Sequence, residues 1–286
     1  MGDRNMDVNG KIGVVTGAGS GIGRETALLL SKNGMALALA DVDESALKAT
    51  VDSILDGGGQ AIGVVTDVSK LESIKNLAEV TLATYGSVNL IHSNAGIVTA
   101  GSIENLTIND WSWTLSTNLW SNVYGIKVFL PLIKETNEGH IILTSSSEGL
   151  QASGGTAAYN VSKFGIVGLA ETLSMELLPF PNLNASVLCP GPVLTNIVEC
   201  ERHRPEELLN DGKVELGLQD NEASQNLLAG AMGPHLVAEM VLEAVINNKF
   251  WIVTHEETRM GFLNVARCLV DDGSLAPPTY DFSNDM

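Results

Sequence analysis

The sequence predicts a doubly wound α/β fold, with a parallel sheet of about seven strands flanked by helices on both faces. Two observations carry that prediction. Short apolar runs alternate with longer amphipathic segments from residue 12 to residue 189. The runs are rich in Val, Ile, Leu and Ala without polar alternation, the pattern of strands buried on both faces of a parallel sheet. Right-handed crossovers then distribute the helices to the two sides.

Taken in order, an apolar run at 12–16 precedes a helical pattern at 25–32. A strand at 36–40 precedes a helix at 44–55, and a strand at 61–65 precedes a helix at 71–84. V-N-L-I-H from Val88 reads as the fourth strand, followed by a long helical stretch near 107–134. H-I-I-L-T from His140 is the fifth, followed by a helix near 155–178, and A-S-V-L-C from Ala185 is the sixth. Gly34, Gly57 to Gly59, Gly86 and Gly139 stand where left-handed helix caps are expected.

After Pro190-Gly191-Pro192 the regularity breaks. Residues 195–232 are polar, helix-prone and interrupted by glycines, which suits a substrate-binding lid over the carboxyl ends of the strands. A helix near 234–247, a short strand at 250–254 and a last helix to about 269 follow. No linker divides the chain, so 1–286 reads as one domain with a flexible start at 1–10 and a loose tail at 271–286.

Hydrophobic residues at 44% and charged ones at 17% provide a sizeable core. Thirty-four acidic side chains against sixteen basic ones give a formal charge of −18. A field of that sign repels polyanions, which argues against nucleic acid, anionic membranes and acidic carrier proteins as partners. Cys189, Cys200 and Cys268 are odd in number and lack metal-ligand spacing, so neither a disulfide framework nor a metal site is expected. With no targeting signal and no apolar run of membrane length, the expected place is the cytoplasm. The N-x-S/T triplets at Asn105, Asn160 and Asn184 read as chance there.

The first loop carries the first chemical signal. T-G-A-G-S-G-I-G, residues 16–23, follows a strand and opens a helix. A diphosphate at a helix N-terminus needs open backbone N–H groups, the positive end of the helix dipole and no Cβ in the way. Gly17, Gly21 and Gly23 supply that openness with Ser20 and Ile22 between them, although the spacing is not G-x-G-x-x-G. Asp41 ends the second strand eighteen residues past Gly23. A carboxylate there accepts hydrogen bonds from adenosine ribose hydroxyls and repels a 2′-phosphate, selecting NAD over NADP; the competing reading is a helix N-cap.

These motifs, followed in order by Asp67-Val68, Asn94-Ala95-Gly96, Asn118, T-S-S-S-E-G, Tyr159-x-x-x-Lys163 and Pro190-Gly191 with Thr195, resemble the short-chain dehydrogenase/reductase family with its Rossmann-type fold. The resemblance is close over 11–195 and looser beyond. It implies that Asp67 and Val68 flank the adenine and that Asn94, Ala95 and Gly96 line the NAD site. Pro190, Gly191, Val193 and Thr195 follow it toward the nicotinamide carboxamide. It further implies a catalytic set of Asn118, Ser146, Tyr159 and Lys163, in which Tyr159 exchanges the proton and Asn118 anchors a water linking Lys163 to solvent. Ser146 is chosen by family spacing, thirteen residues before the tyrosine, with Ser147 as the fallback. Ser93 and Ser121 stand where the family often has Asn and Gly.

Positions i and i+4 share a helix face, so the Lys163 ammonium is expected to favour the Tyr159 phenolate and lower its pKa. The function implied is reversible, NAD-dependent hydride transfer to or from a secondary alcohol or ketone of hydrophobic or aromatic character. The small molecule would be held by 150–155 and 195–232. Homodimers or homotetramers packed through the two long helices are implied as well. An NADP-dependent carbonyl reductase, a carrier-dependent ketoacyl reductase and a non-catalytic dinucleotide sensor are the alternatives. His92, His140, His203, His235 and His255 are expected to be structural or on the surface. Trp111, Trp113 and Trp120 are expected to pack in the core or between subunits.

Overall fold

The computed structural model describes residues 6–210 and 230–280. Seven strands form one parallel sheet in the order β3-β2-β1-β4-β5-β6-β7. They are β1 (Ile12–Thr16), β2 (Ala36–Asp41), β3 (Ala61–Val65), β4 (Leu90–Ser93), β5 (Gly139–Thr144), β6 (Leu183–Cys189) and β7 (Trp251–Val253). Between them run α1 (Gly21–Lys32), α2 (Glu44–Asp56), α3 (Leu71–Tyr85), α4 (Ile108–Thr114), α5 (Ser121–Glu135), α6 (Ala157–Glu176) and α7 (Pro234–Ile246), with α8 (Glu256–Asp271) last.

Successive strand residues point to opposite faces, and this chain fills both. Val14, Ile141 and Val187 pack with Ile74 of α3, Phe129 of α5 and Ile166 of α6. Their neighbours Val15, Ile142 and Leu188 pack on the other side with Leu30 of α1, Leu47 of α2 and Val241 of α7. Each such side chain contributes roughly 1.5–3 kcal/mol by leaving water, so continuous apolar strands are stable only with a helical layer on each side. The order reverses at β1, which pairs with both β2 and β4. The loops leaving β1 and β4 therefore diverge to opposite faces and open a crevice at the carboxyl ends of these strands.

Three sequence expectations change. Gly139 does not cap a helix: it lies inside β5, and the left-handed position belongs to Asn137, with φ 53°. A Cβ on Gly139 would meet the Asn89 carbonyl oxygen and Ile133 Cγ2, both at 2.4 Å, so close packing explains this glycine. Of the first ten residues, Met6 and Val8 are buried, and the Met6 amide donates to the Ile246 carbonyl. The tail is held too, because Gln151 donates through Nε2 to the Pro277 carbonyl and accepts from the Thr279 amide. Residues 1–5, the 211–229 part of the expected lid and 281–286 lie outside the described residues. No described helix is long and apolar enough to cross a membrane.

Two histidines are fully buried in the central strands, His92 against Thr144 Oγ1 and His140 against Ser186 Oγ. Burial pushes both rings from 6.5 down to about 3, so they stay neutral in the fold. As pH falls below 6.5 the unfolded chain takes up protons that the folded chain refuses until about 3, and stability drops through that window. The slope is about 1.4 kcal/mol per pH unit for each ring. Urea unfolding midpoints should fall between pH 6.5 and 5, and the double variant His92→Asn/His140→Asn should flatten that fall.

Candidate active site

The crevice is a cleft of about 390 Å³ along the carboxyl edge of the sheet. At one end lies the β1–α1 loop. Gly17 has φ +65°, and a Cβ there would meet the Ala95 Cα at 2.9 Å. Gly21 has φ +54°, and its Cβ would meet Thr195 Cγ2 at 2.9 Å. Both positions therefore demand glycine for conformation and for space. Gly23 is buried beneath the loop rather than in the cleft. Ser20 stands at the N-cap of α1 without a side-chain cap, and the first turn of α1 carries no acidic residue.

Asp41 is not a helix cap; Asp43 is, accepting from the Ala46 amide. The Asp41 carboxylate instead accepts the Gly19 amide at 2.8 Å and the Asp43 amide at 3.0 Å, bracing the glycine loop against the end of β2. Asp67 and Val68 line the same end of the cleft, with Asp67 accepting from the Ser69 amide and hydroxyl. Asn94, Ala95 and Gly96 form the wall after β4.

At the other end, Tyr159 and Lys163 project from α6 into the cleft. Lys163 is buried and its Nζ donates to the Thr144 carbonyl at 3.0 Å. A Cβ on Gly96 would come within 3.5 Å of that nitrogen. Asn118 lies in a π-helical segment, Leu115–Trp120, between α4 and α5. Its Oδ1 accepts the Ile97 amide, and its Nδ2 donates to the Ile97 carbonyl and to Ser162 Oγ, all within 2.9–3.0 Å. Asn118 thus ties the 95–98 turn to α6 from behind the cleft. The wider π turn lets it face that turn while Trp113 and Thr117 face the cleft.

The three serines after β5 separate by direction. Ser145 Oγ donates to the Lys163 carbonyl at 2.7 Å, and Ser147 turns toward a recess shared with Gln151 and Thr279. Ser146 lies beside Tyr159 and favours its ionised phenol, but its Oγ accepts the Glu148 amide at 3.2 Å, and Ser145 rather than Ser146 lines the cleft. The expected lowering of the Tyr159 pKa by Lys163 is not present in this structure. Burial pushes the phenol up and the Lys163 ammonium down to about 8. The ammonium stands 5.3 Å from the ring centroid, held by Thr144 rather than by the phenol oxygen.

Beyond Thr195 the cleft is closed by Asn196, Ile197, Cys200, Arg202, His203 and Pro205, all from the start of the expected 195–232 lid, although no motif marked them as cleft residues individually. Gly191 and Val193 stay out of the lining. The Gly191 amide donates to Thr254 Oγ1, and Val193 bridges to Met232. His203 lines the cleft instead of serving only the surface. Trp113, read as packing, is both buried and part of the wall. What fastens residues 196–210 is a buried ion pair: Arg204 Nη2 reaches Asp110 Oδ1 at 2.7 Å, and its guanidinium lies 4.3 Å over the Trp113 ring. Both charged side chains are only 4% exposed. Cys200 Sγ adds a contact to the Val98 carbonyl, and Asn210 Nδ2 donates to Asp110.

Arg204→Met strands the buried Asp110 carboxylate, a loss of about 3 kcal/mol for a broken buried pair. Because the pair fastens one segment, amide hydrogen exchange at residues 199–204 should speed up by about 100-fold while the sheet keeps its protection.

Comparison with known proteins agrees with this geometry. The family model described as short chain dehydrogenase matches residues 11–206. The CLA biosynthesis dehydrogenase/reductase of Lactiplantibacillus plantarum is 31% identical over 94% of this chain and 96% of its own length. The cyclohexanol dehydrogenase of Acinetobacter sp. strain SE19 is 31% identical over 66% of this chain and 76% of its own. A crystal structure of a short-chain dehydrogenase/reductase from Burkholderia phymatum in complex with NAD superposes with a TM-score of 0.90, at 35% identity over 96% of this chain and 99% of that one. With a family match over most of the sheet and relatives that run the length of the chain, this protein belongs to the short-chain dehydrogenase/reductase family of oxidoreductases.

Proposed function

We propose that the chain uses NAD to move a hydride to or from the carbon of a hydrophobic secondary alcohol or ketone. The observation that carries this reading is the meeting of Tyr159 and Lys163, with Ser146 beside the phenol, at one end of a cleft whose other end is lined by the glycine loop. The residues present fit the dinucleotide. The α1 terminus, next to the glycine loop, offers amides without a side-chain cap and a first turn without an acidic residue. Asp41 stands where adenosine hydroxyls would find an acceptor and a 2′-phosphate a repelling charge. The Burkholderia phymatum structure, solved with NAD, supports the same choice.

When bound, the nicotinamide supplies the carbon that takes up or releases the hydride. Tyr159 exchanges the proton with the substrate oxygen, and Ser146, beside the phenol, orients that oxygen as its charge changes. Burial holds the phenol protonated in the ligand-free protein, which suits donation to a carbonyl; oxidation asks the same oxygen to accept the hydroxyl proton. Lys163, held by the Thr144 carbonyl, contributes its charge to this corner and would hold the nicotinamide ribose when the dinucleotide is bound. Asn118 acts as a positioning residue that holds the Ile97 turn and α6 in register.

The substrate end is apolar. Ile97, Val98, Trp113, Ile197 and Leu208 pack around Tyr159, which favours a carbon skeleton without charge. The cyclohexanol dehydrogenase relative points to the same class. Trp120, Val161 and Phe164 are exposed on the two long helices and supply apolar area for homo-oligomer contacts. Three unpaired cysteines fit a reducing cytoplasm.

Tyr159→Phe should lower turnover by about 1,000-fold, the scale of a lost general acid/base, with NAD affinity unchanged in a binding titration. Asp41→Ala should shift the NAD to NADP ratio of kcat/KM toward NADP by about tenfold, the scale of one charged hydrogen-bond partner. Wild-type preference for NADP would count against the NAD assignment.

A further inference from the structure

The glycine loop and the segment after β6 touch: Gly21 packs on Thr195, the residue from which that segment sets off across the cleft mouth. The Arg204–Asp110 pair fastens the segment on the α4 side. Held between those two points, Arg202 and His203 reach the opposite bank. They line the main cleft, and they also line a second recess of about 290 Å³ with Ser20, Asp41 and Asp43.

Charge makes this placement informative. Among the described residues of the cleft wall the basic side chains are Lys163, Arg202 and His203, while Asp41 and Asp67 are acidic. Lys163 serves the substrate end. A dinucleotide brings two negative phosphates to the glycine loop of a chain whose formal charge is −18; Arg24 beside that loop is paired with Glu25, and among the described residues lining the cleft there the basic side chains are those the crossing segment carries. Asp41 does not need Arg202 as its partner, since both of its oxygens accept backbone amides. The contacts of Arg202 are to its own turn: Nη1 donates to the Glu199 carbonyl at 2.7 Å and stands 3.6 Å from the Glu199 carboxylate. They hold the guanidinium on a turn already fixed by its neighbour Arg204.

We infer that Arg202, with His203 beside it, closes over the bound dinucleotide from the crossing segment and supplies the counter-charge to its diphosphate, opposite the α1 N-terminus. The diphosphate is then held from both sides, by backbone amides below and by a side-chain cation above. Coenzyme and segment stabilise one another, because the same turn that caps the diphosphate carries Ile197 and Cys200 into the substrate wall. This inference rests on the dinucleotide reading of the cleft and adds residues to it that the family's motifs do not contain.

Calorimetric titration with NAD, with NADP and separately with ADP-ribose, which keeps the diphosphate and lacks the nicotinamide, tests it without turnover. Arg202→Gln should weaken NAD and ADP-ribose by about tenfold, the scale of a hydrogen bond to a charged group. Arg202→Lys should fall in between, since it keeps the charge and loses the planar fork. Added salt should weaken NAD binding to the wild type more than to Arg202→Gln. His203→Gln should produce a smaller loss of the same kind. Arg202 is exposed enough for these variants to fold, and an unchanged melting temperature would verify it. Equal affinity of wild type and Arg202→Gln for NAD and ADP-ribose overturns the inference and leaves the NAD reading intact. A loss confined to NADP overturns it in favour of a 2′-phosphate contact. A wild type that binds neither NAD nor ADP-ribose removes the dinucleotide reading itself, and this inference with it.

Discussion

One threonine joins the two halves of the sheet where the site begins. Thr16 ends β1, and its hydroxyl accepts the amides of Asn94 and Ala95 at 2.9 and 3.1 Å. Asn94 Nδ2 returns a hydrogen bond to the Thr16 carbonyl at 3.1 Å. These bonds close the carboxyl ends of β1 and β4 at the point where the strand order reverses and the following loops part to opposite faces. Backbone groups there have no strand partner and need side chains to satisfy them. Asn94 meets that need and also becomes a wall of the cleft. The glycine loop on one side and the Ile97 turn on the other both take their positions from this stitch.

The same economy of polar groups governs the far wall. Asn118 spends its entire amide on Ile97 and Ser162, and Ser145 spends its hydroxyl on the Lys163 backbone. What lines the cleft there is therefore a short list, chiefly Tyr159 and Lys163 on the Thr144 carbonyl, with Ser146 beside the phenol. In such a dry setting ionised forms are disfavoured, which raises the phenol and lowers the ammonium together. The tyrosine and lysine thus share one low-dielectric corner, and their protonation follows burial more than their mutual spacing along the helix.

Residues 196–210 solve a different problem. They carry few periodic apolar positions and cannot form an amphipathic element by themselves. Their anchor is Arg204, buried over the Trp113 ring and paired with Asp110, whose other contacts come from Thr107 and Asn210. A buried ion pair of this kind adds little net stability relative to apolar packing, but it specifies one arrangement because each alternative leaves a charge unpaired. That specificity aligns Ile197 and Cys200 with the substrate end and turns Arg202 and His203 toward the glycine loop.

The strands, their parallel order and the glycine loop could be read along the chain because they depend on local rules: apolar runs need two covered faces, and a loop before a helix needs glycine where no Cβ fits. Tyr159 and Lys163 were picked out differently: one helical turn puts them on the same face, but that spacing is common on helices, and the resemblance carried by the surrounding motifs singled them out. Three things were decided only by tertiary structure. Gly139 proved to be a packing glycine because Asn89 and Ile133 close on it from other elements. Ser145 and Ser147 were sent in different directions because β5 ends against α6 and the tail. Trp113, Arg202 and His203 joined the cleft because Arg204 found a carboxylate ninety-four positions away. Spacing in sequence reports which side chains share an element; it carries no record of which distant charges will meet once water has been excluded between them.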